Sequence, residues 1–209
     1  MPQSDVELRD GLRARLEDFL ERRMAVLEAT LHSCLDSLIW DPDLFERNLD
    51  QGLGEEGQAL RLFQSLTAEG REGPTLADAF SLAVEECAHY SPGHVVLRSS
   101  VQGGEGLEVR VAPWFVPVLS LLLQKLVGLA DGGVTCELRL VERGPGDAAL
   151  ELVLPGLGVE TLEGALVCGE HTLLPILAGM FGLDLDHLPG GATPGCRLGL
   201  AIPAGLRQA

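Results

Sequence analysis

The stretch ELVLPGLGVE, residues 151–160, decides the fold of this chain. Its apolar run leads into Gly156 and Gly158, and glycine at such a point lets the chain turn sharply or lets another group approach the backbone. The polar turn RGPGD, residues 143–147, comes before it, and residues 134–142 alternate roughly between apolar and polar side chains. Two runs of this kind joined by Gly and Pro predict a β-hairpin.

Composition limits the kind of protein this can be. The 209 residues are enough for one domain of ordinary size and a smaller one. Hydrophobic residues make up 46% and aromatic residues only 4%, which predicts an aliphatic core. The net charge of -16 disfavours binding to nucleic acid or to an anionic membrane surface, because both need Lys and Arg. An acidic surface of this kind keeps a protein soluble.

The cysteines and the hydropathy pattern indicate a cellular compartment. The five cysteines are scattered and lack C-x-x-C spacing, which disfavours a metal site or a disulfide framework and favours buried thiols in a reducing compartment. The longest apolar run, residues 116–123, is interrupted by Pro117 and Ser120, and the N-terminus has no apolar signal core. The sequence therefore predicts a soluble, cytoplasmic protein.

Two helices are predicted before residue 70. The first covers residues 4–40, with Ser4 as N-cap and Glu7 completing a capping box, and the second covers residues 43–68. In the first helix, apolar residues recur at spacings of three and four and so share one face. This apolar stripe consists of Leu8, Leu12, Leu16, Phe19, Leu20, Met24, Leu27, Leu31, Leu35 and Leu38.

The length of the stripe favours pairing of the helical hairpin with a second copy, which would give a dimeric four-helix bundle. The alternative is that the stripe packs on the C-terminal part of the same chain. The segment EGREGP, residues 69–74, predicts the boundary between a helical domain at residues 1–70 and a second domain at residues 74–209.

The second domain is predicted to alternate helices with strand pairs. Thr75 caps its first helix. The predicted elements are a helix at residues 76–90, strands at 95–101 and 107–111, an apolar helix at 113–130, the central hairpin, a helix near 170–181, and closing strands at 183–186 and 196–203.

This order of elements resembles the catalytic core of sensor histidine kinases, the GHKL or Bergerat ATPase fold. The closing strand CRLGLAIP, residues 196–203, is similar to the terminal strand of that family, and the two preceding helices resemble its dimerisation and phosphotransfer hairpin. The resemblance implies an α+β fold class, with an N-terminal helical hairpin followed by an α/β sandwich of the histidine-kinase ATPase type.

The same resemblance implies that adenine recognition is lost. In the family, the second hairpin strand ends in Asp-x-Gly-x-Gly, and the Asp hydrogen-bonds the adenine amino group. Here Gly156 and Gly158 match the glycines, but Leu154 stands where the family has Asp. Leucine has no hydrogen-bond acceptor and cannot read adenine.

Two further nucleotide-binding motifs are also changed. The magnesium-holding Asn of the family matches Gln124, whose longer side chain shifts the amide. The phosphate-binding glycine loop matches residues 167–171, where only Gly169 remains and Glu170 would repel a triphosphate. The resemblance therefore implies a domain without ATP, and neither a cofactor nor a metal is expected.

Phosphotransfer in the family uses a histidine on the first hairpin helix. His32 is the only histidine in the hairpin, and Asp36 lies one turn later on the same face. An imidazole beside a carboxylate can act as a nucleophile, whereas the alternative is an ordinary surface or interface histidine. The remaining histidines show no metal-ligand spacing; they are His89, His94, His171 and His187.

Three functions remain open at this point. The first is a pseudokinase adaptor or scaffold in two-component signalling, a homodimer that binds a partner such as a response-regulator receiver domain. The second is a histidine phosphotransferase that relays phosphate through His32. The third is a diverged but active ATP-dependent histidine kinase, against which Leu154 argues most strongly. Neither nucleic acid nor membrane is expected among the partners.

Overall fold

A helical hairpin and a helix-covered β-sheet make up the chain, which confirms the predicted α+β class. The computed structural model describes residues 4–36, 42–67, 72–90, 95–130, 134–144, 147–167, 172–187 and 195–206. The helices are α1 Asp5–Asp36, α2 Pro42–Thr67, α3 Leu76–Tyr90, α4 Phe115–Gly128, α5 Val159–Val167 and α6 Leu174–Ala178. The strands are β1 Val96–Gln102, β2 Thr135–Gly144, β3 Asp147–Pro155, β4 Gly182–His187 and β5 Gly195–Ala201.

Side-chain caps fix the start of two helices, as the sequence predicts. The Ser4 amide donates to Glu7 Oε2 at 2.9 Å, and the Glu7 amide donates to Ser4 Oγ at 3.3 Å. At the start of α3, the Asp78 amide donates to Thr75 Oγ1 at 3.1 Å. These bonds satisfy N–H groups that have no partner within the helix.

The five strands form one mixed sheet in the order β1-β2-β3-β5-β4. β1 runs parallel to β2, and the other neighbours are antiparallel. The predicted central hairpin is β2 and β3, in which Leu138 lies opposite Leu152 and Leu140 opposite Leu150. All four of these leucines are buried, so one face of the hairpin carries the core.

The strand predicted at residues 107–111 is wrong. A short 3-10 turn at Glu105–Leu107 and a single bridge between Thr75 and Arg110 occupy this part of the chain. Leu107 and Val111 are both buried. Each packs into the core separately, and this produces the strand-like spacing although the segment between them is not a strand.

The segment after the central hairpin also differs from the prediction. The connection predicted there contains α5, whose first turn is closed by the Leu162 N–H donating to the Gly158 carbonyl at 3.1 Å. The helix predicted near residues 170–181 is shorter than expected, because within that range the described residues form only α6. Leu162 is fully buried, which anchors α5 to the core.

The apolar stripe of α1 is used within one chain over its first half. Leu12, Leu16 and Phe19 are at most 2% exposed, and α1 contacts both α6 and the short turn Ala204–Leu206. These three side chains therefore pack in the core of their own chain, in contrast to the predicted dimer seam. Further along α1, Met24 and Val26 are exposed.

Polar contacts also join the hairpin to the second domain. The Trp114 indole N–H donates to Asp5 Oδ1 at 3.1 Å. Burial raises the pKa of the Asp5 carboxyl, against the lowering effects of this hydrogen bond and of nearby Arg9. Within the hairpin, the partly buried Arg23 of α1 and the buried Glu56 of α2 form an ion pair at 3.4 Å. None of the helices in the described ranges has the length and apolar character needed to cross a bilayer.

Candidate functional site

A cavity of about 560 Å³ lies among α2, α4, α5 and the segment that leads into α6. Of the described positions that the resemblance matches to nucleotide binding, Gln124 of α4 is among the lining residues, whereas Leu154, Gly156 and Gly158 are not. The lining residues are Glu55, Gln124, Lys125, Gly128, Leu129, Gly164, Ala165, Thr172 and Leu174.

Glu55 reaches into this cavity from α2 and uses both carboxylate oxygens. Its Oε1 accepts a hydrogen bond from Lys125 Nζ in an ion pair whose side chains are 18% and 21% exposed. Its Oε2 accepts from the backbone N–H of Leu173 at 3.0 Å. Hydrogen bonds to a charged group are the stronger kind. Two donors that could hold an anion here are thus already bound to a carboxylate of the chain itself.

Leu154, the residue that stands where the family has an adenine-reading Asp, is fully buried near the end of β3. It lies opposite Cys196 of β5. Burial raises the pKa of the Cys136 thiol to about 11, with further contributions from the neighbouring Cys87 and Cys196. Burial also raises the pKa of Cys196. These thiols remain neutral at physiological pH, so the surroundings of Leu154 are apolar.

The two glycines after β3 serve the turn into α5. Gly156 has φ of 83°, a left-handed conformation that favours glycine. The carbonyl of Gly158 accepts the first hydrogen bond of α5, from Leu162. Backbone geometry therefore explains a glycine at Gly156 without a nucleotide, whereas a Cβ at Gly158 would meet only Thr161 Oγ1, at 3.8 Å. Gly169, the remaining glycine of the matched phosphate loop, lies outside the described residues.

Gln124 is half-buried and its amide is used within α4. Its Nε2 donates to Ser120 Oγ, one turn earlier, at 3.2 Å. Ser120 is itself only 2% exposed. In the part of the chain that the structure describes, no group of three or more His, Cys, Asp or Glu side chains could hold a metal ion.

His32 and Asp36 lie near the end of α1, one helical turn apart. Their side chains fall outside the described part of the chain, so their part in phosphotransfer stays a prediction. Among the other histidines, His89 is exposed near the end of α3, whereas His94 and His171 are not described.

Sequence reasoning missed Glu55 and Lys125, which lie 70 positions apart in the chain. One signal was present in α2. Glu55 shares the spacing of the buried residues Ala59, Leu62 and Leu66, at steps of four, three and four. A charged residue in such a series points at the core and therefore needs a partner.

Comparison with known proteins supports the fold. No protein-family model matches the chain, and no curated protein sequence does so either. The structure is similar to the Acinetobacter baumannii histidine kinase AdeS, at 10% identity and a TM-score of 0.50, over 88% of this chain and 96% of that one. It is also similar to the Erythrobacter litoralis EL346 blue-light activated histidine kinase, at 14% identity and a TM-score of 0.50. That match covers 94% of this chain and 60% of the kinase. At such low identities the likeness concerns the fold alone, and this chain has the α+β fold of histidine kinases.

Proposed function

We propose that this chain is a nucleotide-free signalling protein of the histidine-kinase fold, a pseudokinase that acts as an adaptor. The observation that carries the proposal is the Glu55 carboxylate, bound to Lys125 and to the Leu173 amide inside the cavity. A phosphate group entering this end of the cavity would have to displace the Glu55 carboxylate from the Lys125 ammonium and the Leu173 N–H, in a partly buried setting where the two anions repel each other.

Two other features support the same conclusion. Leu154 provides no acceptor for an adenine amino group and lies in an apolar part of the sheet. The Gln124 amide donates within its own helix, to Ser120. Leu154 and Gln124, the described positions that the resemblance matches to the adenine reader and the magnesium ligand, thus have no polar side-chain atom or an internal hydrogen bond.

The adaptor that we propose pairs with a second copy through the distal half of the hairpin. Met24, a member of the apolar stripe, is 55% exposed there, beyond the part of α1 that is buried in its own chain. Exposed apolar side chains on a helix favour association with another surface. The partner that we propose for the dimer is the receiver domain of a response regulator, which follows from the resemblance to histidine kinases.

The alternative is phosphotransfer through His32. The specific observation in its favour is that α1 continues as a helix through Asp36, which keeps His32 and Asp36 at the i, i+4 spacing of neighbouring side chains. In that case, the imidazole would take a phosphoryl group from an aspartyl phosphate of one receiver and pass it to another.

Binding to receiver domains tests the proposal and separates it from the alternative. The full chain is titrated with a panel of receiver domains, and phosphate transfer from phosphorylated receivers is followed in parallel. The adaptor predicts binding to a receiver without transfer, and His32→Gln should then bind like the unchanged chain. Transfer that disappears in His32→Gln while binding persists would establish the phosphotransferase instead. Failure to bind any receiver, or autophosphorylation with ATP, contradicts the proposed adaptor.

A further inference from the structure

We propose that the free edge of β1 is a docking surface for a second copy of this chain. The second copy adds its own β1 in antiparallel orientation and joins the two five-stranded sheets into one continuous sheet. This surface is separate from the hairpin and from the cavity around Glu55.

The exposure of β1 is the first observation. β1 is at the edge of the sheet, and β2 is the strand with which it pairs among the described residues. Leu97 is the one partly buried residue of the strand, and the others are exposed. Val96 and Val101 are exposed by 56% and 45%. An edge strand of this kind presents unpaired backbone groups together with apolar side chains, which is a template for adding another strand.

The backbone directions follow from the ladder with β2. The Val96 N–H donates to the Val134 carbonyl at 3.0 Å, and Val96 lies opposite Thr135. In a parallel ladder, both backbone groups of one residue point to the same neighbouring strand, and those of the next residue point to the other side. The N–H and C=O groups of Leu97, Ser99 and Val101 therefore point away from β2, toward the free edge.

The strand is complementary to itself in one register. A two-fold axis perpendicular to the sheet keeps every side chain on its original face of the sheet. Residues that lie opposite each other must therefore share a face, and this holds only when the axis passes between one residue and its own copy. When the axis passes at Ser99, all of β1 is paired, and Leu97 lies opposite Val101 of the second copy. Arg98 then lies opposite Ser100, so no like charges meet. An axis at Arg98 would instead place two guanidinium groups opposite each other, which is destabilising.

This register also extends the core. Leu97 packs against the core of its own chain. Val101 is four residues later and therefore lies on the same face of the strand. Pairing would bring Val101 of the second copy beside Leu97 and cover an apolar side chain that is now exposed. The contact therefore contributes apolar burial in addition to backbone hydrogen bonds.

The opposite edge of the sheet lacks these properties. β4 carries the exposed carboxylates Asp184 and Asp186, and charged side chains on an edge strand oppose pairing. By contrast, residues 95–104 contain Arg98 and no acidic residue, in a chain of net charge -16. The β1 strand therefore carries no carboxylate of its own, and the Glu142 carboxylate beside its end is held by the Gly104 N–H at 2.7 Å.

Pairing of one short strand buries less than the roughly 1,200 Å² of a standard interface. A weak and reversible association is therefore expected. Added salt should strengthen it, because salt screens the repulsion between two acidic chains.

Sedimentation equilibrium of the full chain, over a wide concentration range and at two salt concentrations, tests the proposal. Ser99→Pro removes an N–H that points to the free edge and leaves the β2 ladder intact. Ser99→Ala keeps that N–H and is the matched control. We expect Ser99→Pro to weaken the association at least tenfold relative to Ser99→Ala. Circular dichroism checks that both variants fold.

A second variant makes the test independent of proline. Val101→Lys changes an exposed side chain and places a charge opposite Leu97, so it should also weaken the association. Pairing through the hairpin would be unaffected by either edge variant. Equal association constants for Val101→Lys, Ser99→Pro and Ser99→Ala would overturn the proposal, as would a chain that shows no edge-dependent association at any concentration.

Disulfide cross-linking tests the register. In the proposed pairing, residue 99 lies opposite its own copy at a Cα separation of about 5.5 Å, which a disulfide can span. Ser99→Cys should therefore form a cross-linked dimer under a mild oxidant. Gln102→Cys, which lies opposite Val96 of the second copy, should not. The unchanged chain controls for the native cysteines, and equal cross-linking of the two variants would contradict the register.

Discussion

At the scale of single residues, Glu55 limits what the cavity can bind. Leu154 is buried in the sheet outside the cavity lining and stands where the family has its adenine-reading Asp. Glu55 supplies negative charge where an anionic ligand would need positive charge, and its partners are Lys125 and the Leu173 amide. Leu154 supplies an apolar side chain in a buried part of the sheet. The first change acts on phosphate and the second on adenine, so reversing either one alone should not restore nucleotide binding.

The variant Leu154→Asp tests the second of these residues. A carboxylate at this buried position faces Cys196 and apolar neighbours, so it should lower the free energy of unfolding by about 3 kcal/mol or more. Urea unfolding at neutral pH measures the loss, and Leu154→Asn should lose less because it is uncharged. ATP binding by Leu154→Asp without a loss of stability would contradict this description of the site.

The variant Glu55→Gln tests the interaction with Lys125. The amide oxygen can still accept from the Leu173 N–H, but the ion pair is lost and Lys125 is left partly buried without it. We expect unfolding free energy to fall by about 1–3 kcal/mol. Glu17→Gln is the matched control, since Glu17 pairs with Arg13 on the surface of α1 and should lose under about 0.5 kcal/mol. Equal losses of unfolding free energy in the two variants would show that the Glu55–Lys125 ion pair stabilises the fold no more than a surface ion pair does.

The buried thiol of Cys136 gives a pH-dependent prediction. Its pKa is raised from 9.0 to about 11, so the folded chain keeps a proton that the unfolded chain releases in this range. Stability should therefore fall as the pH rises from 9 to 11. Urea unfolding across this range measures the slope, and Cys136→Ala should show a smaller one. A steeper slope in Cys136→Ala would be inconsistent with the buried thiol.

At the scale of elements, the sequence predicts the long and regular parts best. The capped starts of α1 and α3 and the β2–β3 hairpin are encoded in short local patterns, and the structure contains them. The helix α5 is short, carries Gly164 in its interior and follows a glycine turn, so its local signal is weak. The residues around Leu107 give a strand-like pattern in the sequence, because side chains that pack into the core alternate there with side chains that do not.

The candidate site likewise contains features that local sequence patterns predict and features that they do not. Leu154 is visible in the sequence because it interrupts a recognisable motif. The spacing within α2 places Glu55 on the core-facing side, but its partner Lys125 is far away in the chain and depends on how α2 packs against α4. The fate of the α1 stripe likewise depends on tertiary packing, since periodicity shows that a face is buried and not what buries it.

Hairpin pairing gives the prediction at the scale of elements. Leu27→Glu places a charge on the stripe beyond the part of α1 that is buried in its own chain. If the distal hairpin forms a dimer, this variant should dissociate it, because a charge in an apolar seam must be desolvated without a partner. Light scattering at micromolar concentration measures the mass. A chain that is monomeric before the substitution would rule out the hairpin dimer at that concentration.

At the scale of the whole molecule, the helical hairpin and the helix-covered sheet share one apolar core. Buried residues of α1 and α2 belong to the same cluster as those of the sheet and of α4. The Asp5–Trp114 hydrogen bond and the Glu55–Lys125 ion pair add polar contacts between the two parts. These contacts hold the hairpin in a fixed position against the sheet and its helices.

The measurement that tests the central claim most directly is calorimetric titration of the full chain with ATP and magnesium. We expect no binding at millimolar nucleotide, because Glu55 occupies two donors of the cavity and Leu154 cannot read adenine. Glu55→Gln should give the same result, since adenine recognition is still missing. A dissociation constant below about 100 μM, equivalent to more than about 5 kcal/mol of binding free energy, would contradict the claim that this protein works without nucleotide.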